Sequence, residues 1–245
     1  MKNIKITLQF DGSRYSGWQK LGNTGNTIQG KLESLLEKMT NKDISLIGSS
    51  RTDKGVHSKG FACNFHTESS MGSSEIEEYI NRYLPDDIRA IEVIDAPERF
   101  HCQYNAKSKL YRYSIDNGKY QDVFTRKYTS HIPGHLDIER MQKAADLLVG
   151  SFDFAAYTNM KSKTKSTVRT ILSINIKKEG NYIHIDYKGD GFLYNMIRII
   201  TGTLVRVGKK ELEPQEVLDI LAGKDRSVAG PMVEAKGLCL MEVRF

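Results

Sequence analysis

Hydrophobic and polar positions along the chain fall into two runs with the same order of elements. Ile4 to Phe10 alternates apolar and polar, the period of a strand with one buried face, and Asp11-Gly12-Ser13 breaks it. Asn26 followed by Gln29 has the pattern of a capping box, after which Ile28, Leu32, Leu35, Leu36 and Met39 recur at helical spacing. Ile44 to Ile47 and Phe61 to Phe65 predict two further strands, separated by a polar loop from Gly48 to Lys59. Ser73 or Ser74 caps a helix carrying Ile76, Tyr79, Ile80 and Tyr83, which Pro85 stops, and Ile88 to Ile94 predicts a fourth strand. The order is βαββαβ, that of a ferredoxin-like split unit.

The second run repeats that order with little residue identity. Leu110 to Ile115 predicts a strand, and Asp137 opens a helix with Ile138, Met141, Ala145, Leu148 and Val149 on one face. Ile171 to Ile176 and Tyr182 to Tyr187 read as a hairpin around Glu179-Gly180-Asn181. Tyr194 to Val207 is helical and apolar on most sides, Pro214 starts a helix reaching Leu221, and Leu238 to Phe245 closes as a strand. The expected fold class is therefore α+β: two ferredoxin-like βαββαβ units over residues 1–105 and 106–245, their sheets joined around a central cleft. Clefts of that kind are where sites usually lie.

Composition narrows the function without choosing it. The chain has 245 residues and a formal charge of +6, a balance that favours a polyanionic partner. Three widely spaced cysteines, Cys63, Cys102 and Cys239, argue against a disulfide framework and fit a reducing cytoplasm. A zinc site from Cys63, His66, His101 and Cys102 fails on geometry, because residues three apart in a strand point to opposite faces. No apolar run is long enough for a membrane span, and the N-terminus alternates like a strand instead of carrying the apolar core of a signal peptide.

The chemistry concentrates in Gly48-Ser49-Ser50-Arg51-Thr52-Asp53-Lys54-Gly55-Val56-His57, which sets one acid between two bases in a loop between strands. On these residues alone, a solvated turn with Asp53 bonded to its own backbone reads as well as a functional site. An RNA-recognition module without catalysis is the competing class. Lys59-Gly60-Phe61-Ala62 opens like its strand-three signature, but Cys63, Asn64 and His66 stand where the stacking residues belong. A metal-dependent nuclease needs clustered carboxylates, and this loop offers one.

Arg51-Thr52-Asp53-Lys54-Gly55-Val56-His57 resembles the catalytic signature of the TruA family of pseudouridine synthases. The resemblance runs the length of the chain, in order. It takes in Phe10 to Gln19, Thr27 to Glu33, Phe100 to Ala106, Lys109 to Tyr113, Gly191 to Arg198 followed by Gly202, and Ala235 to Leu240. It implies isomerisation of uridine to pseudouridine in structured RNA, with the tRNA anticodon stem-loop the foremost target and ribosomal RNA the alternative. It further implies a homodimer and no cofactor or metal. By the same carry-over, Asp53 matches the catalytic aspartate, Arg198 the arginine that pairs with it, Arg51 the arginine of base extrusion, and Tyr111 the tyrosine that stacks on the target uracil. Those residue types suit the reaction. Detaching uracil and reattaching it through carbon needs a carboxylate, as nucleophile or base and toward sugar or base, with no redox step. An adjacent arginine favours the charged carboxylate. An extruded base needs an aromatic surface to receive it.

Pattern alone does not choose between Tyr111 and Tyr113, which lie two apart and share a strand face. Arg198 is the sharper signal, since an arginine within an apolar helix needs a charged partner. The chain departs from many members at Ser50 and Lys54, where they carry glycine and alanine, and there resembles the eukaryotic branch and some bacterial paralogues; the change bears on target position. Met160 to Thr170 holds Lys161, Lys163, Lys165 and Arg169 with no acid, a composition suited to phosphates, with Lys2, Lys5, Arg14 and Lys20 as further cations.

Overall fold

A computed structural model describes residues 1–160 and 166–245. Contacts divide the chain into two units, 1–107 with 239–245 and 108–238. The expected division at 105/106 keeps the closing strand with the second half; in the structure that strand belongs to the first unit.

In the first unit β1 (Lys2–Phe10) buries Ile4, Ile6 and Leu8 completely, as its alternation requires. A single 3-10 turn over Gly12–Arg14 follows, and then α1 (Ile28–Thr40). The cap of α1 is Thr27, whose hydroxyl accepts from the Gly30 N–H at 3.1 Å, and not Asn26, whose amide donates to the Arg14 carbonyl. The second strand shrinks to β2 (Ile47–Gly48), while β3 (His57–Thr67) begins four residues before the apolar run at Phe61. The polar loop is correspondingly shorter than its sequence limits. α2 (Ser73–Tyr83) starts after Gly72, whose N–H donates to the Glu75 carboxylate at 2.7 Å, so neither serine caps it. β4 (Ile88–Ala96) completes the order. β1 lies between β3 and β4, antiparallel to both, with Ile6 opposite Cys63 and Val93. Ile28, Leu32 and Leu36 of α1 and Ile76 and Ile80 of α2 are fully buried with the apolar face of that sheet.

In the second unit β5 (Ser108–Asp116) pairs in parallel with the short β6 (Ser130–His131), which the sequence pattern does not reveal. α3 (Ile138–Leu147) is capped by Asp137, whose carboxylate accepts from the Arg140 N–H at 3.1 Å. β7 (Gly150–Asp153) is a further unpredicted strand, pairing with β8 (Val168–Glu179). β8 and β9 (Tyr182–Gly189) form the expected hairpin, with Gly180 at φ 60° in its turn. The sheet order is β5-β9-β8-β7. α4 (Met196–Gly208) starts two residues later than Tyr194 and is buried along most of its length, and α5 (Glu216–Gly223) starts two residues after Pro214. The last strand, β10 (Leu238–Arg244), runs parallel to β3 with Cys239 opposite His57. No helix among the described residues is long and apolar enough to cross a membrane.

Candidate active site

The loop between β2 and β3 spans residues 49–56. Ser49 anchors its start, donating its N–H to the Ala62 carbonyl at 2.9 Å. Its far end is a turn in which the Val56 N–H donates to the Asp53 carbonyl at 3.1 Å, with Gly55 at φ 80°. A type II turn demands a positive φ at that third position, which is why glycine follows Lys54. The turn leaves the Asp53 side chain half-buried between two exposed cations, Arg51 and Lys54.

A brace from a distant part of the chain fixes this loop. The Trp18 N–H donates to the Thr52 carbonyl at 3.1 Å. Gly17 has φ 103°, and a Cβ there would lie 2.6 Å from the Thr52 carbonyl oxygen and 3.2 Å from the Asp53 carbonyl carbon. The Trp18 ring, 3% exposed, stacks on Phe61 with centroids 4.0 Å apart, so the brace is rooted in β3. At the other end of the loop the Gly12 N–H donates to His57 Nδ1 at 3.1 Å, and the Asp11 carboxylate lies 3.2 Å from the same nitrogen. Two hydroxyls of the loop, Ser49 Oγ and Thr52 Oγ1, are buried with no hydrogen-bond partner among the described residues.

In the second unit Tyr111 of β5 is buried, and its ring meets Phe192 edge to face with centroids 5.5 Å apart. Tyr113, on the same strand face, is fully buried and donates its hydroxyl to the Glu234 carbonyl at 2.8 Å. Burial pushes the Tyr113 phenol well above its ordinary range, against smaller opposing effects from Ser130 and the Arg198 guanidinium. Arg198, the third residue of α4, stands half-buried. Its Nε donates to the Val233 carbonyl at 2.8 Å and its Nη1 to Asn195 Oδ1 at 3.2 Å. Asn195 precedes the helix at φ 63°, a left-handed conformation that asparagine tolerates better than most residues. Its side chain thus orients the arginine while its backbone turns the chain into α4.

The first unit therefore holds Asp53 and Arg51, and the second holds Tyr111 and Arg198. Lys161, Lys163 and Lys165 lie outside the described residues. Of the other cations, Lys5 pairs with Glu92 (3.4 Å), Arg14 with Asp87 (3.0 Å) and Lys20 with Glu33 (3.1 Å), so much of their charge is already answered. Sequence reasoning gave no separate role to Gly17, Trp18, Phe192 or Asn195. The one tryptophan, beside a glycine in a polar stretch, was the available signal for the brace. Among the described residues no three of His, Cys, Asp and Glu are grouped to hold a metal ion.

The family model described as tRNA pseudouridine synthase matches residues 6–105 and 144–245, which puts the chain among RNA-modifying isomerases. A tRNA pseudouridine synthase A of Bacillus sp. (strain KSM-64) is 50% identical over 245 residues, covering all of both chains. A tRNA pseudouridine synthase A 2 of Bacillus cereus (strain ZK / E33L) and a tRNA pseudouridine synthase A 1 of Clostridium tetani (strain Massachusetts / E88) are each 43% identical over the same full span. The chain belongs to the tRNA pseudouridine synthase family, of TruA type.

Proposed function

We propose that this chain isomerises uridine to pseudouridine in the anticodon stem-loop of tRNA, with Asp53 as the essential carboxylate. The observation that carries the reading is the braced Arg51-Thr52-Asp53 loop. A half-buried acid on a turn held by Trp18 and Gly17 is positioned by backbone contacts before substrate arrives. Arg198 is its ionic partner, Arg51 assists extrusion of the target base, and Tyr111 receives the uracil. Lys161, Lys163 and Lys165 bind RNA phosphates. The reaction exchanges the N1–C1′ bond for a C5–C1′ bond within a single nucleotide, and the proton lost from C5 is balanced by one gained at N1, so the chemical step has no redox change and needs no cofactor or metal. The protein works as a homodimer in the cytoplasm, in keeping with its free cysteines.

The test is direct. Purified protein is incubated with unmodified tRNA transcripts, and pseudouridine is mapped in tRNA and rRNA from cells with and without the gene. Loss of pseudouridine from the anticodon stem-loop of tRNA supports the reading. Loss confined to rRNA would move the target, a change in which Ser50 and Lys54 are the residues to examine first.

A further inference from the structure

Lys109 is a half-buried lysine with no hydrogen-bond or ion-pair partner among the described residues, a costly arrangement unless something else meets its charge. It sits on β5 two residues before Tyr111, so the two side chains leave the same face of the sheet about 7 Å apart along the strand. Opposite it in the register lies Gly189, where β9 ends. A Cβ at Gly189 would meet the Thr170 carbonyl at 2.8 Å and the Phe192 ring at 3.0 Å, so this corner is packed around a bare backbone. The Phe192 ring is the one whose edge meets Tyr111. Arg169 enters from β8, its Nε 3.7 Å from where a Gly191 Cβ would stand and its Nη1 donating to the Ser166 and Val168 carbonyls. Among the described residues the acid that acts on Lys109 is Asp190, whose Oδ1 accepts from the Thr170 N–H at 3.0 Å. Burial lowers the affinity of Lys109 for its proton, Arg169 lowers it further, and Asp190 works against both.

We propose that Lys109 and Arg169 form a binding site for one backbone phosphate of the RNA, at the nucleotide whose base lies against Tyr111. Two cations and one engaged acid leave a positive corner, and a phosphate accepts from both side chains while neutralising that excess. The site deepens the reading of Tyr111 given above and rests on it. A phosphate fixed one strand repeat from the stacking ring holds the extruded nucleotide at both ends, by its base and by its backbone.

The test uses the full-length enzyme and an unmodified tRNA transcript. Lys109→Met should weaken RNA binding and flatten the plot of log affinity against log salt by about 0.7 to 0.9, the value of one phosphate contact. Its thermal midpoint should hold or rise, because an unpartnered charge leaves a half-buried site. Lys109→Arg should restore the slope. Replacing the phosphates flanking the target uridine by neutral methylphosphonates should weaken the unaltered enzyme comparably and Lys109→Met little further, since both changes remove one contact. Fully additive losses, or an unchanged salt slope in Lys109→Met, would overturn the proposal while leaving the isomerase reading intact. Absence of pseudouridine with the unaltered enzyme would overturn that reading, and this site with it.

Discussion

The main-chain N–H of Trp18 donates to the carbonyl of Thr52 at 3.1 Å, tying a turn near the N-terminus to the residue immediately before Asp53. Gly17 lets the chain pass close under the loop, and the Trp18 ring locks the passing segment onto Phe61. The candidate carboxylate is held by backbone contacts from beneath, independent of any contact its own side chain makes.

Gly17→Ala tests the brace. A side chain at φ 103° costs about 1–2 kcal/mol in backbone strain alone, and here its Cβ would also strike the Thr52 carbonyl. Denaturant unfolding should show at least that loss, and turnover should fall more than tRNA affinity. Gly22→Ala, which meets nothing within 4 Å, is the control and should change neither.

Thr52→Val should be tolerated by the fold. Its hydroxyl is buried without a hydrogen-bond partner among the described residues, and a buried unsatisfied polar group costs about 1–3 kcal/mol. Exchange for a methyl of similar shape should therefore raise stability by roughly 1 kcal/mol in chemical unfolding. A loss of that size would mean the hydroxyl has a partner in solution.

Much of this was legible in the chain, and the failures have physical causes. β1, α1, β4 and the β8–β9 hairpin declare themselves because long apolar runs carry a clear period. β6 and β7 do not, since two to four residues hold no period, and β2 is visible but its pattern spans Ile44 to Ile47, where only Ile47–Gly48 pairs. The cap of α1 fell on Thr27 because Asn26 bonds across to Arg14, a contact no local pattern contains. The Asp53 loop was visible in its composition, whereas its brace was not, since Gly17 and Thr52 belong to segments separated by a whole helix.

Tyr15 lies in the bracing segment, and burial with a 2.5 Å bond to Asp87 pushes its phenol from 10.0 to about 12. A group whose pKa is raised on folding stabilises the fold fully below its unfolded value, and that contribution is lost as pH climbs from about 10 to 12. Tyr15→Phe should remove part of the alkaline decline in thermal midpoint. An identical decline in the variant would show that Tyr15 does not titrate with unfolding.

The two arginines should separate kinetically. Arg51→Ala should slow base extrusion, so a substrate whose target uridine is already unpaired should recover most of its rate. Arg198→Leu should lose turnover, and the same substrate should not rescue it. Equal rescue of both variants would show that these roles are exchanged or shared.

The central claim is that Asp53 performs chemistry and contributes little to affinity. The direct measurement is pseudouridine formation by Asp53→Asn on a tRNA transcript, alongside the binding of that transcript by the same preparation. Affinity comes mainly from phosphate contacts, so binding should stay within a few-fold of the unaltered enzyme while product falls to the limit of detection. Turnover by Asp53→Asn at a rate near that of the unaltered enzyme would contradict the account.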